Sequence, residues 1–240
     1  MTTPTTAGVV LASGAGTRVG GERNKVFLPL AGRRVVSWSV ESMARVPEVG
    51  VLMLVVRPQD QEHVDWVLDR ELDHLTVEVV HGGASRQESE LNALRHLSAR
   101  IDTGEIDTVL IHDAARPLLS PALISGILHA ARESGGAVPG LRDDDLRPIG
   151  DDGHLLGNTD LDRLVRVQTP QGFRARPLLE AYEQAAREGF LGTDTASCME
   201  RFSDLPIQWI TGEDSNFKIT YPDDLLIAEN VLADLNYSMK

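Results

Sequence analysis

The chain has 240 residues, of which 42% are hydrophobic and 25% charged, and a formal net charge of −13. That length suits one large domain with a buried core, and the acidic balance repels polyanions, which excludes broad nucleic-acid binding but leaves room for a small anion in a local cationic pocket. No apolar run reaches the ~18 residues of a membrane span, and the N-terminal MTTPTTAG lacks the basic-then-apolar plan of a signal peptide, so a cytoplasmic protein is expected.

In chain order, residues 9–12 read as a buried strand that runs into the glycine-rich stretch 13–21. Apolar runs at 51–56, 75–80 and 108–111, each bounded by polar or glycine punctuation, predict further strands. Helical patterns lie between them. Val36, Val40 and Met43 share one face of the first. Leu91 and Leu94 share a face of a later one, which opens with a capping box of Ser85 and Glu88. Ser120 before Pro121 marks another helix start, ahead of Leu123, Ile124 and Ile127. Such alternation implies an α/β fold with a doubly wound, mainly parallel sheet covered on both faces.

The alternation breaks after Val138. Residues 140–169 are polar and turn-rich, and Asp151-Asp152-Gly153 can reverse a hairpin between 146–149 and 155–156. This stretch is expected to leave the sheet as an arm within a single 1–240 domain. A helix carrying Leu178, Leu179, Tyr182 and Ala185 follows, then a strand at 207–210 and a last helix carrying Leu225, Leu226 and Val231. The single cysteine, Cys198, excludes an internal disulfide and is expected to fill core space.

In an open parallel sheet, ligands gather beyond the carboxyl ends of the strands. The first loop there is Ser13-Gly14-Ala15-Gly16-Thr17-Arg18-Val19-Gly20-Gly21, with Lys25 beyond it. Glycines let backbone N–H groups approach phosphate oxygens while Arg18 and Lys25 add positive charge, an arrangement suited to a triphosphate and equally available to a plain structural turn. The stretch has no Gly-Lys-Ser/Thr ending and lacks the third glycine of a dinucleotide fingerprint. Arginines number 20 against three lysines, so Lys25 and Lys218 mark candidate positions for a compact ammonium. Asp113, directly after a predicted buried strand, suits a hard Mg²⁺ bridged to phosphate oxygens, or else caps the turn that follows. His112 has no ligand-spaced histidine partner and is read as structural.

The segments LASGAGTRVGGERNKVFLPLAG, HGGASRQES, HDAARPLL, QTPQGF, GTD and NFKIT occur in this order over about residues 8–232. Together they resemble the 2-C-methyl-D-erythritol 4-phosphate cytidylyltransferases of isoprenoid synthesis; ribitol-5-phosphate cytidylyltransferases are close relatives that share most of the blocks. The resemblance implies transfer of CMP from CTP to a phosphorylated alcohol with release of pyrophosphate, a divalent cation such as Mg²⁺ on Asp113, and a homodimer interlocked through the arm. It places Ala12, Ser13, Gly14 and Gly16 along the nucleotide and Gly83 and Ser89 toward the cytosine, although Ser89 is also an ordinary residue near a capped helix start. Arg18, Lys25 and Lys218 become the catalytic cations. Arg116, which could also form an ordinary ion pair, and Thr193 of the GTD block approach the acceptor. The departures lie in the arm: Asp145 stands where relatives carry a phosphate-contacting threonine, beside Asp144, and Leu161 stands where they carry an arginine. Arg163 and Arg166 are the nearby replacements expected to bind the acceptor.

Overall fold

In a computed structural model that describes residues 5–14, 24–143, 151, 154 and 164–238, the first expected strand forms as β1, Thr6–Leu11. A small hairpin of β2, Pro29–Leu30, and β3, Arg33–Arg34, leads into helix α1, Val35–Ala44. Then come β4, Val49–Val56; α2, Gln61–Arg70; β5, Val77–His81; α3, Arg86–Asp102; β6, Thr108–Asp113; and α4, Pro121–Ser134. The second half adds β7, Gly136–Arg142; β8, Val165–Val167; β9, Gln171–Arg174; α5, Ala175–Glu188; α6, Thr195–Phe202; β10, Ile207–Thr211; and α7, Pro222–Ser238.

One eight-stranded sheet runs in the order β10-β7-β9-β6-β1-β4-β5, with β8 also beside β7. β1 pairs parallel with β4 and β6, β4 with β5, and β10 with β7. The mainly parallel expectation therefore holds, with β8 and β9 as the reversed strands. Strand alternation divides the core. Val10, Leu54 and Leu110 pack with α1, α2 and α4 on one face, while Val9, Met53, Val55 and Ile111 pack with α3, α5 and α6 on the other. Each fully buried Leu or Ile contributes about 1.5–3 kcal/mol, so both faces must be covered for these strands to persist. Cys198 lies at 0% exposure in the second layer, as its core role requires.

Two local expectations are refined. Ser85 accepts from the Glu88 N–H as the cap of α3, but the Glu88 side chain reaches back to the Ala84 N–H, one residue short of a reciprocal box. Ser120 accepts from the Leu123 N–H and Pro121 opens α4, as expected. β7 continues past Val138 to Arg142, so the departure from the sheet comes later than the sequence pattern suggests. The hairpin expected between 146–149 and 155–156 lies outside the described residues.

Candidate active site

Because β1, β4, β5 and β6 are parallel, the segments after them meet at one edge of the sheet. There they enclose a cavity of about 560 Å³ lined by Ala12 to Gly14, Arg57 to Gln59, Gly82 to Arg86, Asp113 and Ala115. Asn24, Lys25 and Lys218 also line it. A second cavity of about 370 Å³ adjoins it, lined by Arg116, Arg166, Gln168, Phe217, Lys218 and Tyr221 among others. Lys218 is common to both linings among the described residues.

Asp113 is the electrostatic centre. Its Oδ2 lies 2.7 Å from Lys218 Nζ and its Oδ1 3.4 Å from Arg86. Burial works against its charge, but Arg86, Lys218 and Arg116 outweigh burial and hold the carboxyl well below the usual carboxylate range. Its backbone N–H donates to Thr169 Oγ1, whose hydroxyl contacts His112 Nδ1 at 2.9 Å, while His112 Nε2 sits 3.1 Å from the Arg116 carbonyl. A neutral ring that donates from Nε2 and accepts at Nδ1 satisfies all of these contacts. Burial, aided by the positive charge of Arg116, pushes the His112 pKa down to about 4, in keeping with a structural role. The Asp113 side chain does not cap the turn that follows; the Arg116 N–H bonds the Asp113 backbone carbonyl instead.

The sequence-predicted residues divide as follows. Ala12, Ser13, Gly14, Lys25, Gly83, Asp113 and Lys218 line the first cavity. Arg116 and Arg166 line the second. Burial lowers the Arg116 pKa, with Asp113 opposing and Arg166 and Arg86 adding to the effect. Arg116 donates to the Asn216 carbonyl at 2.8 Å, and its Nε is buried without a hydrogen-bond partner among the described residues. Arg166 pairs loosely with Asp143 at 3.5 Å and keeps 65% of its side chain exposed. Gly16, Arg18 and Arg163 lie outside the described residues, as do Asp144, Asp145 and Leu161.

Two residues sit differently from expectation. Ser89 is 1% exposed, one layer behind the cavity wall, where its hydroxyl accepts from Ser13 Oγ and the Gly83 N–H and donates to the Ser85 carbonyl. It thus orients two wall residues and has no hydroxyl proton left for a base. A Cβ on Gly82 would fall 2.6 Å from Ser89 Oγ and 2.7 Å from Ser13 Cβ, so this close approach of two loops requires glycine. Thr193 is exposed ahead of α6 and lines neither cavity. Thr195, two residues on, is the threonine turned inward, donating to Glu90 Oε1 at 2.8 Å.

Sequence reasoning did not single out Asn24, Arg57, Arg86 or Glu90. Asn24 donates to the Ala12 carbonyl at 2.7 Å and to Asp60 at 3.1 Å, and Asp60 holds Arg57 by two 2.7 Å bonds. The residue before Lys25 thereby ties the end of β1 to the segment after β4. Arg86 bridges Asp113 and Glu90, at 2.5 Å from the latter. Glu90 also receives the Tyr182 hydroxyl at 2.5 Å. Burial raises the Glu90 carboxyl, and Arg86, Tyr182 and Thr195 pull it back. The available signal was a glutamate four residues after an arginine, on the stripe of α3 that carries Leu94 and Leu97.

No group of three or more His, Cys, Asp or Glu among the described residues could cage a metal. A single ionised carboxylate on the wall of a large cavity that also carries lysine and arginine side chains is instead the donor set for Mg²⁺, which dehydrates reluctantly and is commonly held by one or two carboxylates plus substrate phosphates. Asp113 fits that description.

The sequence profile of the 2-C-methyl-D-erythritol 4-phosphate cytidylyltransferases matches residues 6–234. A relative of that name from Cereibacter sphaeroides is 37% identical over 229 residues, 95% of this chain and 97% of its own. One from Synechococcus elongatus is 33% identical, covering 96% and 97%. The crystal structure of the Thermus thermophilus protein of that name superposes with a TM-score of 0.74 at 28% identity, over 94% of this chain and 98% of its own.

Proposed function

This chain belongs to the 2-C-methyl-D-erythritol 4-phosphate cytidylyltransferase family, and from that premise we propose how its two cavities divide the transfer of CMP from CTP to the acceptor phosphate. The enzyme is a CTP-dependent nucleotidyltransferase of isoprenoid synthesis. The observation that carries the division is that Lys218 faces both cavities while pairing with Asp113.

The larger cavity takes CTP. Its base lies against Ser13, Gly82 and Gly83, with Ser89 holding those walls in place, and its phosphates run along Ala12, Gly14, Gly16, Arg18 and Lys25. Cytosine offers one amino donor and two acceptors, which backbone groups and the Ser13 hydroxyl can distinguish from uracil. The smaller cavity takes the acceptor, whose phosphate meets Arg116 and Arg166, with Arg163 and Thr193 kept as the further contacts that the family resemblance implies. Asp113 is the residue that would hold Mg²⁺ together with triphosphate oxygens, and the ion when bound neutralises charge on them.

The acceptor phosphate oxygen attacks the α-phosphorus of CTP; a new P–O bond forms as the bond to the bridging oxygen breaks, and pyrophosphate leaves with that electron pair. A phosphomonoester with a second pKa of about 6 is largely dianionic at neutral pH, so no general base is needed. Lys218, from the acceptor side, and Lys25 with Arg18, from the nucleotide side, stabilise the negative charge that spreads over the α-phosphoryl oxygens. A cytoplasmic homodimer joined through residues 140–169 of one 1–240 domain completes this reading; sedimentation of the intact protein as a monomer would contradict the dimer.

Pyrophosphate release with CTP and either 2-C-methyl-D-erythritol 4-phosphate or ribitol 5-phosphate tests the assignment. Efficient turnover of the first and poor use of the second is expected. The reverse preference would make Asp144, Asp145 and Leu161 the marks of a changed acceptor.

A further inference from the structure

Glu90 is a buried acid that the transfer mechanism leaves without a task. It is 1% exposed, and its oxygens receive Arg86 at 2.5 Å, Tyr182 at 2.5 Å and Thr195 at 2.8 Å. Three donors converge on the carboxylate, and one of them, Arg86, also reaches the cavity wall and Asp113. Arg86 is thus shared unequally, at 2.5 Å from Glu90 and 3.4 Å from Asp113. The nearer carboxylate is buried, where screening by water is weakest.

We propose that Glu90 is a positioning residue for divalent-cation binding: by holding Arg86 and balancing its charge, it keeps Asp113 from being fully neutralised by two cations. Lys218 already engages one Asp113 oxygen at 2.7 Å. Were Arg86 to lose its closer partner, its whole charge would fall on the other Asp113 oxygen, and a metal ion would compete with two bound cations for one carboxylate. The Arg86–Glu90 pair therefore sets the cation affinity of the cleft, with the balancing carboxylate one layer below its surface. The inference rests on the reading of Asp113 as the metal ligand.

The test measures Mn²⁺ binding to the full-length protein with a non-hydrolysable CTP analogue, by the electron paramagnetic resonance signal of free Mn²⁺, and separately measures affinity for the analogue without metal. Asp113→Asn checks the underlying reading: if it binds Mn²⁺ as tightly as the parent, Asp113 is not the ligand and both conclusions fall. With Asp113 dependence established, Glu90→Gln is expected to weaken Mn²⁺ binding by at least about tenfold, because an uncompensated positive charge near the site opposes a second cation. Metal-free binding of the anionic analogue should be unchanged or tighter for the same reason. Mn²⁺ affinity within about twofold of the parent, or loss of both affinities together, overturns the charge-balance role. Tyr182→Phe removes a hydrogen bond and keeps the charges, so it should leave Mn²⁺ affinity unchanged; an equal loss there would reveal a merely structural network. The double variant Arg86→Gln with Glu90→Gln removes the charges as a pair and carries the test even if the single variant does not fold. Its Mn²⁺ affinity should stay within about threefold of the parent, and a tenfold loss would refute the proposal.

Discussion

Lys218 Nζ lies 2.7 Å from Asp113 Oδ2, which joins the loop after β10, shared by both cavities, to the end of β6 on the wall of the larger one. A cation placed there is fixed before any phosphate arrives, which is the condition for stabilising transition-state charge without reorganisation. Lys218→Ala and Lys25→Ala are each expected to lower kcat by at least ~100-fold, the scale seen when one such stabiliser is removed. Lys218→Arg should restore only part of it, since a planar fork does not occupy a point-charge site in the same way. Near-native turnover in either alanine variant would remove that residue from the chemistry.

CTP with Mg²⁺ should raise the thermal unfolding midpoint, because a ligand that binds only the folded state stabilises it by mass action. ATP, GTP and UTP should protect far less, given the tight wall formed by Ser13, Gly82 and Gly83 with Ser89 behind it. Equal shifts for all four nucleotides, read by differential scanning fluorimetry, would argue against cytidine selection.

Arg166 is 65% exposed and bound to Asp143 only at 3.5 Å, so it can turn to an anion at little cost. Arg166→Ala or Arg163→Ala is expected to raise the acceptor KM at least ~10-fold with CTP affinity unchanged, since a charge-assisted hydrogen bond contributes about 1.5–3 kcal/mol. If neither substitution alters that KM, Arg116 and Lys218 hold the acceptor phosphate without them. Asp145→Thr combined with Leu161→Arg tests the remaining departures. Improved use of methylerythritol phosphate by that variant would show that the arm limits the parent.

Burial pushes the Cys198 thiol up to about 12 from an ordinary value of 9.0, with Glu90 adding to the effect. Because the folded state disfavours the thiolate, the reactive form is withheld until the chain unfolds, and stability from this group declines as pH rises above 9.0. Ellman's reagent at pH 8 should therefore leave the native protein unlabelled and label one thiol after denaturation. Rapid labelling of the native protein would contradict the packing around α6.

Much of this arrangement was legible in the sequence where local chemistry agreed with tertiary need. The apolar runs of β1, β4, β5 and β6, the caps at Ser85 and Ser120, and the residues Lys25, Asp113 and Lys218 all announced themselves. β8 and β9 did not. They are three and four residues long, and β9 places Gly172 where a Cβ would meet Ile127 and Leu110 side chains at 2.9 Å, so close packing removed the side chain that would have signalled a strand. α6 carried an overlooked signal, the reciprocal cap of Asp194 and Ser197. Arg86 and Glu90 have the i,i+4 spacing of an ordinary surface ion pair, and only the packing of α5 and α6 over α3 shows that Glu90 is buried while Arg86 reaches the cavity.

The shared wall between the cavities also bears on how such an enzyme could be re-engineered. The larger cavity is lined mainly by segments after four parallel strands, and the smaller one mainly by β7, β8 and the loop after β10, with Lys218 as the overlap of their linings among the described residues. An acceptor cassette transplanted onto this frame would need to preserve one lysine and its pairing to Asp113, while the rest of its surface could be redrawn for a different alcohol.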